Sequence, residues 1–112
     1  MAAGDVTVTG DAVLPNGLRL MVGTVVLDGG NPTPVTLTTY MSSVLFGMAT
    51  MDGSAATGDD PNYVTSNVSA TTLNIYAWKN TSGTDPTMIA STDNARLIDW
   101  LAIGTTPSAA RA

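Results

Sequence analysis

The stretch from Tyr63 to Lys79, YVTSNVSATTLNIYAWK, constrains this chain more than any other. It reads as two strands folded back on each other. Val64 and Val68 share a face with Ser66, while Tyr63, Thr65, Asn67 and Ser69 take the opposite face, the alternation of a strand with one buried side. In the second half, Leu73, Ile75 and Ala77 alternate with Asn74, Tyr76 and Trp78. Tyrosine and tryptophan are apolar bodies with a polar tip, so this strand is apolar on both sides. It belongs in the middle of a sheet, or it shows one face to a partner chain. The link Ser69-Ala70-Thr71-Thr72 is short enough for a hairpin turn but lacks the Asn-Gly pair of the strongest turn signal. An isolated hairpin is marginal in water, so the remaining chain must supply strands to cover it.

Composition agrees with β structure. The 112 residues suit one domain, and 44% of them are hydrophobic, enough for a core. Only 12% are charged, against roughly 25% in an average globular protein. Every acid is aspartate, and Glu, Gln, His and Cys are absent. Abundant Thr and Val favour pleated surfaces, while the missing Glu and Gln remove common helix formers. The net charge of −5 argues against nucleic-acid binding, because Arg19, Lys79, Arg96 and Arg111 cannot build a phosphate-tracking stripe. No apolar run reaches the roughly 18 residues of a membrane span. The start, Met-Ala-Ala-Gly-Asp, lacks the charged and apolar regions of a signal peptide. Absence of cysteine fits synthesis in a reducing cytosol and leaves stability to packing or oligomerisation.

In chain order, residues 1–17 form an N-terminal arm broken by Gly4, Gly10, Pro15 and Gly17. It is either mobile or ordered only against a neighbouring chain. Val6 and Val8 alternate with threonines and suggest a short edge strand within it. Leu18 to Leu27 is the clearest strand. Leu20, Val22 and Val26 face one way and Met21, Val25 and Leu27 the other, as in a strand covered on two sides. Gly23 in its middle points to a bulge or a close backbone approach. Asp28 to Pro34 is a turn segment. From Val35 to Met51 a strand is favoured over a helix. Val44, Phe46 and Met48 would line one strand face, whereas Val44, Leu45, Met48 and Met51 would line a helix face. Met41, Met48 and Met51 suit irregular gaps in a core or a subunit contact. Loops follow at 52–62 and 80–87, with a short apolar piece at Met88 to Ser91. Leu97 to Ile103 is the last strand, with Leu97, Asp99, Leu101 and Ile103 on one face and Ile98, Trp100 and Ala102 on the other. Asp99 on an apolar face invites pairing with Arg96 or Arg19. The tail is 105–112. The expected fold is all-β: an antiparallel sandwich or small barrel of about six to eight strands over 18–104, with a flexible arm and tail.

Catalytic equipment is scarce. Without His or Cys, the usual general base, the thiol nucleophile and most zinc sites are gone, and no motif places Lys79 or an aspartate beside a serine. An enzyme is not expected, nor a cofactor. Asp59-Asp60, with Asp52 or Asn62, read as solvated loop acids, with calcium as the alternative; the spacing matches no EF-hand. Asp28 with Asn31 reads as turn chemistry. Tyr76, Trp78 and Trp100 read as core or subunit-interface packing, with a sugar-binding platform as the alternative. Together with Met21 and Val25 they are the candidate partner or subunit contacts. Asn67-Val68-Ser69 and Asn80-Thr81-Ser82 match the glycosylation pattern, which arises by chance in Ser/Thr-rich chains.

Three blocks carry a resemblance: GTVVLDGGNPTPVTL (23–37), GDDPNYVTSNVSATTLNIYAWKNTSGTDPTMIAST (58–92) and DWLAIG (99–104). Together they resemble small structural proteins of tailed bacteriophages, namely capsid decoration (cement) proteins and small head- or tail-fibre domains, over about residues 18–104. The distinctive elements are IYAWK followed by DPT, and the closing Trp-x-Ala-x-Gly, which also looks like the last strand of fibre-tip and H-type-lectin-like sandwiches. The resemblance implies a β-sandwich that binds the major capsid protein on the virion surface, often as a homotrimer, made in the host cytoplasm. Its alternative is a receptor- or glycan-binding fibre domain. It supplies no catalytic residues.

Overall fold

The computed structural model of the chain describes residues 2–51, 63–82, 84–85 and 87–106. These form an all-β sandwich of eight strands without a helix. In chain order the strands are β1 (Val6–Val13), β2 (Leu18–Val26), β3 (Thr33–Thr36), β4 (Ser43–Met51), β5 (Tyr63–Ser69), β6 (Thr72–Asn80), β7 (Met88–Ala90) and β8 (Leu97–Thr105). Sheet A has the order β1-β2-β8-β4 and sheet B the order β3-β6-β5, all antiparallel, with β7 paired to the far end of β6. β5 already occupies one edge of β6 up to Trp78, so β7 continues along the edge that β3 uses. The strands β4 and β5, each last in its sheet, lie side by side, and the turn after β5 is tied to β4 by a backbone bond from Val44 N–H to the Ala70 carbonyl, 2.8 Å. That contact closes one flank of the sandwich.

The core forms because the alternation of each central strand turns one apolar set inward. Sheet A contributes Met21, Val25, Val44, Ile98, Trp100 and Ala102, and sheet B contributes Val35, Leu73, Ile75 and Ala77. Leu27, Leu37 and Met41 fill the crossings between sheets. The strand reading of 35–51 holds, with the chain turning at 38–40 between β3 and β4. Its face assignment needs correction. A register shift between Val44 and Phe46 opposes two residues of β4 to one of β8, so Val44 is buried while Phe46 and Met48 face outward. Helix-like spacing of Val44, Leu45, Met48 and Met51 carries no weight here because burial follows the bulged strand.

Val6 and Val8, the suggested edge strand, lie within the longer β1, which is laddered to β2 from Val6 to Val13. This part of the N-terminal stretch therefore belongs to sheet A. Its register shifts between Val8 and Gly10, next to Gly23 on β2. Gly23 explains the geometry: a Cβ there would sit 1.9 Å from the Thr7 carbonyl oxygen and 2.9 Å from Cζ2 of Trp100. Only a glycine lets β1 pass this close.

Turn chemistry ties the sheets together. Asp28 Oδ1 accepts from Gly30 N–H at 2.8 Å and from the Thr33 hydroxyl at 2.9 Å. Asn31 Oδ1 accepts from Ala77 N–H at 2.9 Å, so both residues act as structure rather than as a ligand pair. Pro34 falls inside β3, which tolerates it as an edge strand.

Candidate functional site

A sandwich has two outer faces, and here neither is covered by another element of the described chain. Reading across sheet A, the ladder aligns Leu20 with Ile103 and Phe46, then Val22 with Leu101 and Met48, then Thr24 with Asp99 and Thr50. Two successive rows are wholly apolar. Phe46 is 52% exposed and Met48 53%, and Leu45 at the bulge is also exposed. An open groove of 490 Å³ runs over Val22, Leu101 and Met48 and reaches the polar row of Thr24, Asp99 and Thr50. Soluble monomers rarely leave a contiguous apolar area of this kind unpartnered.

Sheet B presents different chemistry at the equivalent positions. Its outward residues are Pro34 and Thr36 on β3, Tyr63, Thr65, Asn67 and Ser69 on β5, Thr72, Asn74, Tyr76, Trp78 and Asn80 on β6, and Met88 and Ala90 on β7. None is charged. Tyr76 and Trp78, two residues apart on one strand, stack with ring centroids 6.2 Å apart and planes 10° from parallel. The Trp78 indole Nε1–H donates to the Thr65 hydroxyl at 2.9 Å, and Tyr63 is the cross-strand partner of Trp78. Asn74 Nδ2 donates to Asn67 Oδ1 at 3.2 Å. Beyond Trp78 an open groove of 690 Å³ is lined by Tyr63, Thr65, Trp78, Asn80 and Met88. The Asn80 carboxamide oxygen is shielded from water there and has no hydrogen-bond partner. The adjoining loop is folded on itself: Thr81 N–H donates to the Thr87 carbonyl, and Thr87 N–H donates to the Asp85 carboxylate. That last bond holds Asp85 below the ordinary carboxylate range.

The expected contact residues divide. Tyr76 and Trp78 lie together, partly exposed, on the outside of sheet B. Trp100, Met21 and Val25 do not join them. They point into the core with exposures of 3%, 0% and 0%, so they offer no surface to a partner. The cause is parity: odd positions of β2 and even positions of β8 face inward, and their neighbours Leu20, Val22, Leu101 and Ile103 hold the outer face. A platform combining Trp100 with the other aromatics is therefore ruled out, and Tyr63 takes its place. Trp100 is buried with an unpaired Nε1–H. The methionines also divide, with Met41 in the core, Met51 packed at its margin and Met48 outside.

Asp99 stands on the outer face of sheet A, but Arg19 is not its partner. Arg19 makes a two-pronged bond to Asp11, Nε to Oδ1 at 2.8 Å and Nη2 to Oδ2 at 2.6 Å. Its Nη1 donates to the Tyr40 carbonyl at 2.9 Å, and the guanidinium lies 5.4 Å from the Tyr40 ring centroid. The hydrogen bond from Arg19 lowers the Asp11 pKa. This set pins the end of β1 to β2 and to the 38–40 turn. The acid group of Asp52, Asp59, Asp60 and Asn62 lies outside the described residues. Among the described residues no group of three or more His, Cys, Asp or Glu side chains could hold a metal ion.

Sequence reasoning passed over the pairing of Tyr63 with Trp78, which needed only the hairpin register, and the outward placement of Phe46, which no local signal marks. Comparison of the chain with protein-family profiles, with curated proteins and with solved structures finds no match.

Proposed function

We propose that this chain is a structural virion protein that self-associates, as a trimer by the resemblance described above, and that decorates and stabilises a phage capsid by binding the major capsid protein lattice. It works by contact, without chemistry of its own. The observation that carries the self-associating part is the apolar outer face of sheet A. Removing apolar surface from water is worth about 25 cal/mol per Å², and a pleated sheet whose outer rows are Leu, Val, Ile, Phe and Met gains most against a second surface of the same kind. The capsid as target comes from the resemblance, and several weak sites presented together would multiply into firm attachment.

Two measurements test this reading. Light scattering of the purified chain should give a mass above the monomer that falls on dilution. Mixed with undecorated capsids, the protein should bind saturably and raise the temperature at which they break. A monomer at high concentration that leaves capsid disruption unchanged would overturn the proposal.

A further inference from the structure

We infer that the outer face of sheet B binds a neutral saccharide in the groove between Tyr63, Trp78 and Asn80. The chemistry of the lining selects this ligand class. A sugar ring offers a flat patch of C–H groups, which are attracted to the electron-rich face of an aromatic ring, and a fringe of hydroxyls that both donate and accept. The groove supplies the matching pair. Tyr76 stacks against one side of the Trp78 indole, and the groove opens on the Asn80 side of it, with Tyr63, 56% exposed, across the strand pair. Around these rings Thr65 and Asn80 supply a hydroxyl and a carboxamide, each able to donate and accept, while Met88 and Ala90 add apolar surface.

The unpaired Asn80 oxygen adds a specific vacancy for a donor. A buried acceptor is normally satisfied. The oxygen is shielded from water beside the groove, so pairing it with a ligand hydroxyl requires the carboxamide to turn outward. Charge sets the subclass: no described outward position of sheet B carries a charge, so nothing there pairs with a sulfate or a carboxylate, and a neutral sugar loses nothing by that. The volume of 690 Å³ falls within the roughly 300–1,000 Å³ range of small-ligand sites. A second copy of the chain is the poorer occupant, because a broad contact over this face would also cover Asn67, Asn74, Thr65 and Thr72, whose polar groups would each need a partner.

The test uses neutral oligosaccharides: maltotriose, cellotriose, chitotriose and N-acetyllactosamine. Trp100→Phe leaves Trp78 as the single tryptophan, so its fluorescence reports the groove. A saturable change with at least one of these sugars is expected at millimolar concentration, weakened at least tenfold by Tyr63→Ala or Asn80→Ala and lost in Trp78→Ala. If Trp100→Phe fails to fold, the side-chain amide resonances of Asn67, Asn74 and Asn80 in the unaltered protein give the same reading. No response to any neutral sugar overturns the inference, as does binding that survives Trp78→Ala, or binding confined to anionic sugars or proline-rich peptides. The site does not depend on self-association, so a variant with Leu101→Glu should bind the sugar undiminished.

Discussion

On the outside of sheet A the ladder aligns Leu20, Val22, Phe46, Met48, Leu101 and Ile103. On the outside of sheet B the same alternation displays Tyr63, Thr65, Asn67, Asn74, Tyr76, Trp78 and Asn80. Both faces are built by period-two geometry on a shared core, yet they differ in what contact with another molecule would gain. Covering sheet A releases water from aliphatic surface, a non-directional gain that grows with area. Covering sheet B strips water from amides and hydroxyls, which is favourable only where the incoming molecule returns each hydrogen bond. A wide, forgiving contact suits the first face and a small, directional ligand suits the second.

The comparison depends on register, since a slip of one residue would exchange inner and outer sets. The harshest way to break it is Gly23→Val. The added Cβ would lie 1.9 Å from the Thr7 carbonyl oxygen, and backbone cannot give way as a side-chain tip can. Denaturant unfolding should show a loss of about 3 kcal/mol or more, in the upper range for single substitutions, with amide exchange accelerated first in β1. Gly47→Ala makes a control. Its Cβ would approach Leu73 Cδ1 at 2.4 Å, and that methyl can move, so the loss should be smaller.

A second test separates the faces directly. Leu101→Glu puts a charge among the apolar rows of sheet A and should weaken self-association by about 100-fold, equal to ~2.7 kcal/mol, while Thr65→Glu on sheet B should leave the mass unchanged. Sedimentation over a concentration series distinguishes them. Equal loss in both variants would mean that the faces are not specialised.

Sheet A also has an electrostatic margin. The Arg19–Asp11 pair is partly exposed, with side-chain exposures of 18% and 31%, so its worth is limited to about 0.5–1 kcal/mol. The Asp11 pKa is lowered in the folded chain, first by its hydrogen bond with Arg19. The stabilisation is therefore complete above the unfolded carboxylate pKa of about 3.9 and is lost as pH falls through the lower folded value. Arg19→Met should cost that amount at pH 7 and cost little once Asp11 is protonated, which acid titrations of both proteins would show. A constant difference down to pH 2 would place the role of Arg19 in packing against Tyr40 instead.

Most of the architecture could be read from alternation alone. Alternation sorts β2, β5, β6 and β8 into two faces plainly, and the Gly23 signal had a definite cause, whereas Pro34, read as the end of a turn segment, lies inside β3. What stayed hidden were departures from alternation. The bulge at Leu45 reverses the facing of Phe46 and Met48 relative to Val44, and nothing in the run SVLFGM announces it, because an extra residue costs only a local ladder bond. Trp100 was read as core or subunit-interface packing, and its 3% exposure bears out the core and not the contact. A doubly apolar strand says that both faces avoid water but not which is the core, and the choice of Met21, Val25 and Trp100 as contacts took the wrong side. Of the candidate site, Tyr76 and Trp78 were legible as a pair. Tyr63 was legible only once the register Tyr63↔Trp78 was known.

Sheet B specifies that register weakly, because its outer side chains are polar and its inner β5 residues, Val64, Ser66 and Val68, are only partly buried. The turn must therefore do more here than in sheet A. Ladder pairing closes at Ser69↔Thr72, leaving Ala70 and Thr71 as the loop, and Ala70 takes φ of 52°. A left-handed conformation costs an L-residue with a Cβ about 1–2 kcal/mol, while glycine adopts it freely but loses about 0.5–1 kcal/mol more in chain entropy on folding. Ala70→Gly should then stabilise the protein slightly, by up to about 1 kcal/mol, raising Tm by a few degrees on the scale of about 4–8 °C per kcal/mol for a domain of this size. The bond from Val44 N–H to the Ala70 carbonyl uses backbone atoms and survives the change. Because the substitution leaves the ladder offset that sets Tyr63 beside Trp78 unchanged, saccharide affinity should be kept. A drop in Tm would mean that Ala70 is unstrained, and that the register of the aromatic face is held by the strands rather than by their turn.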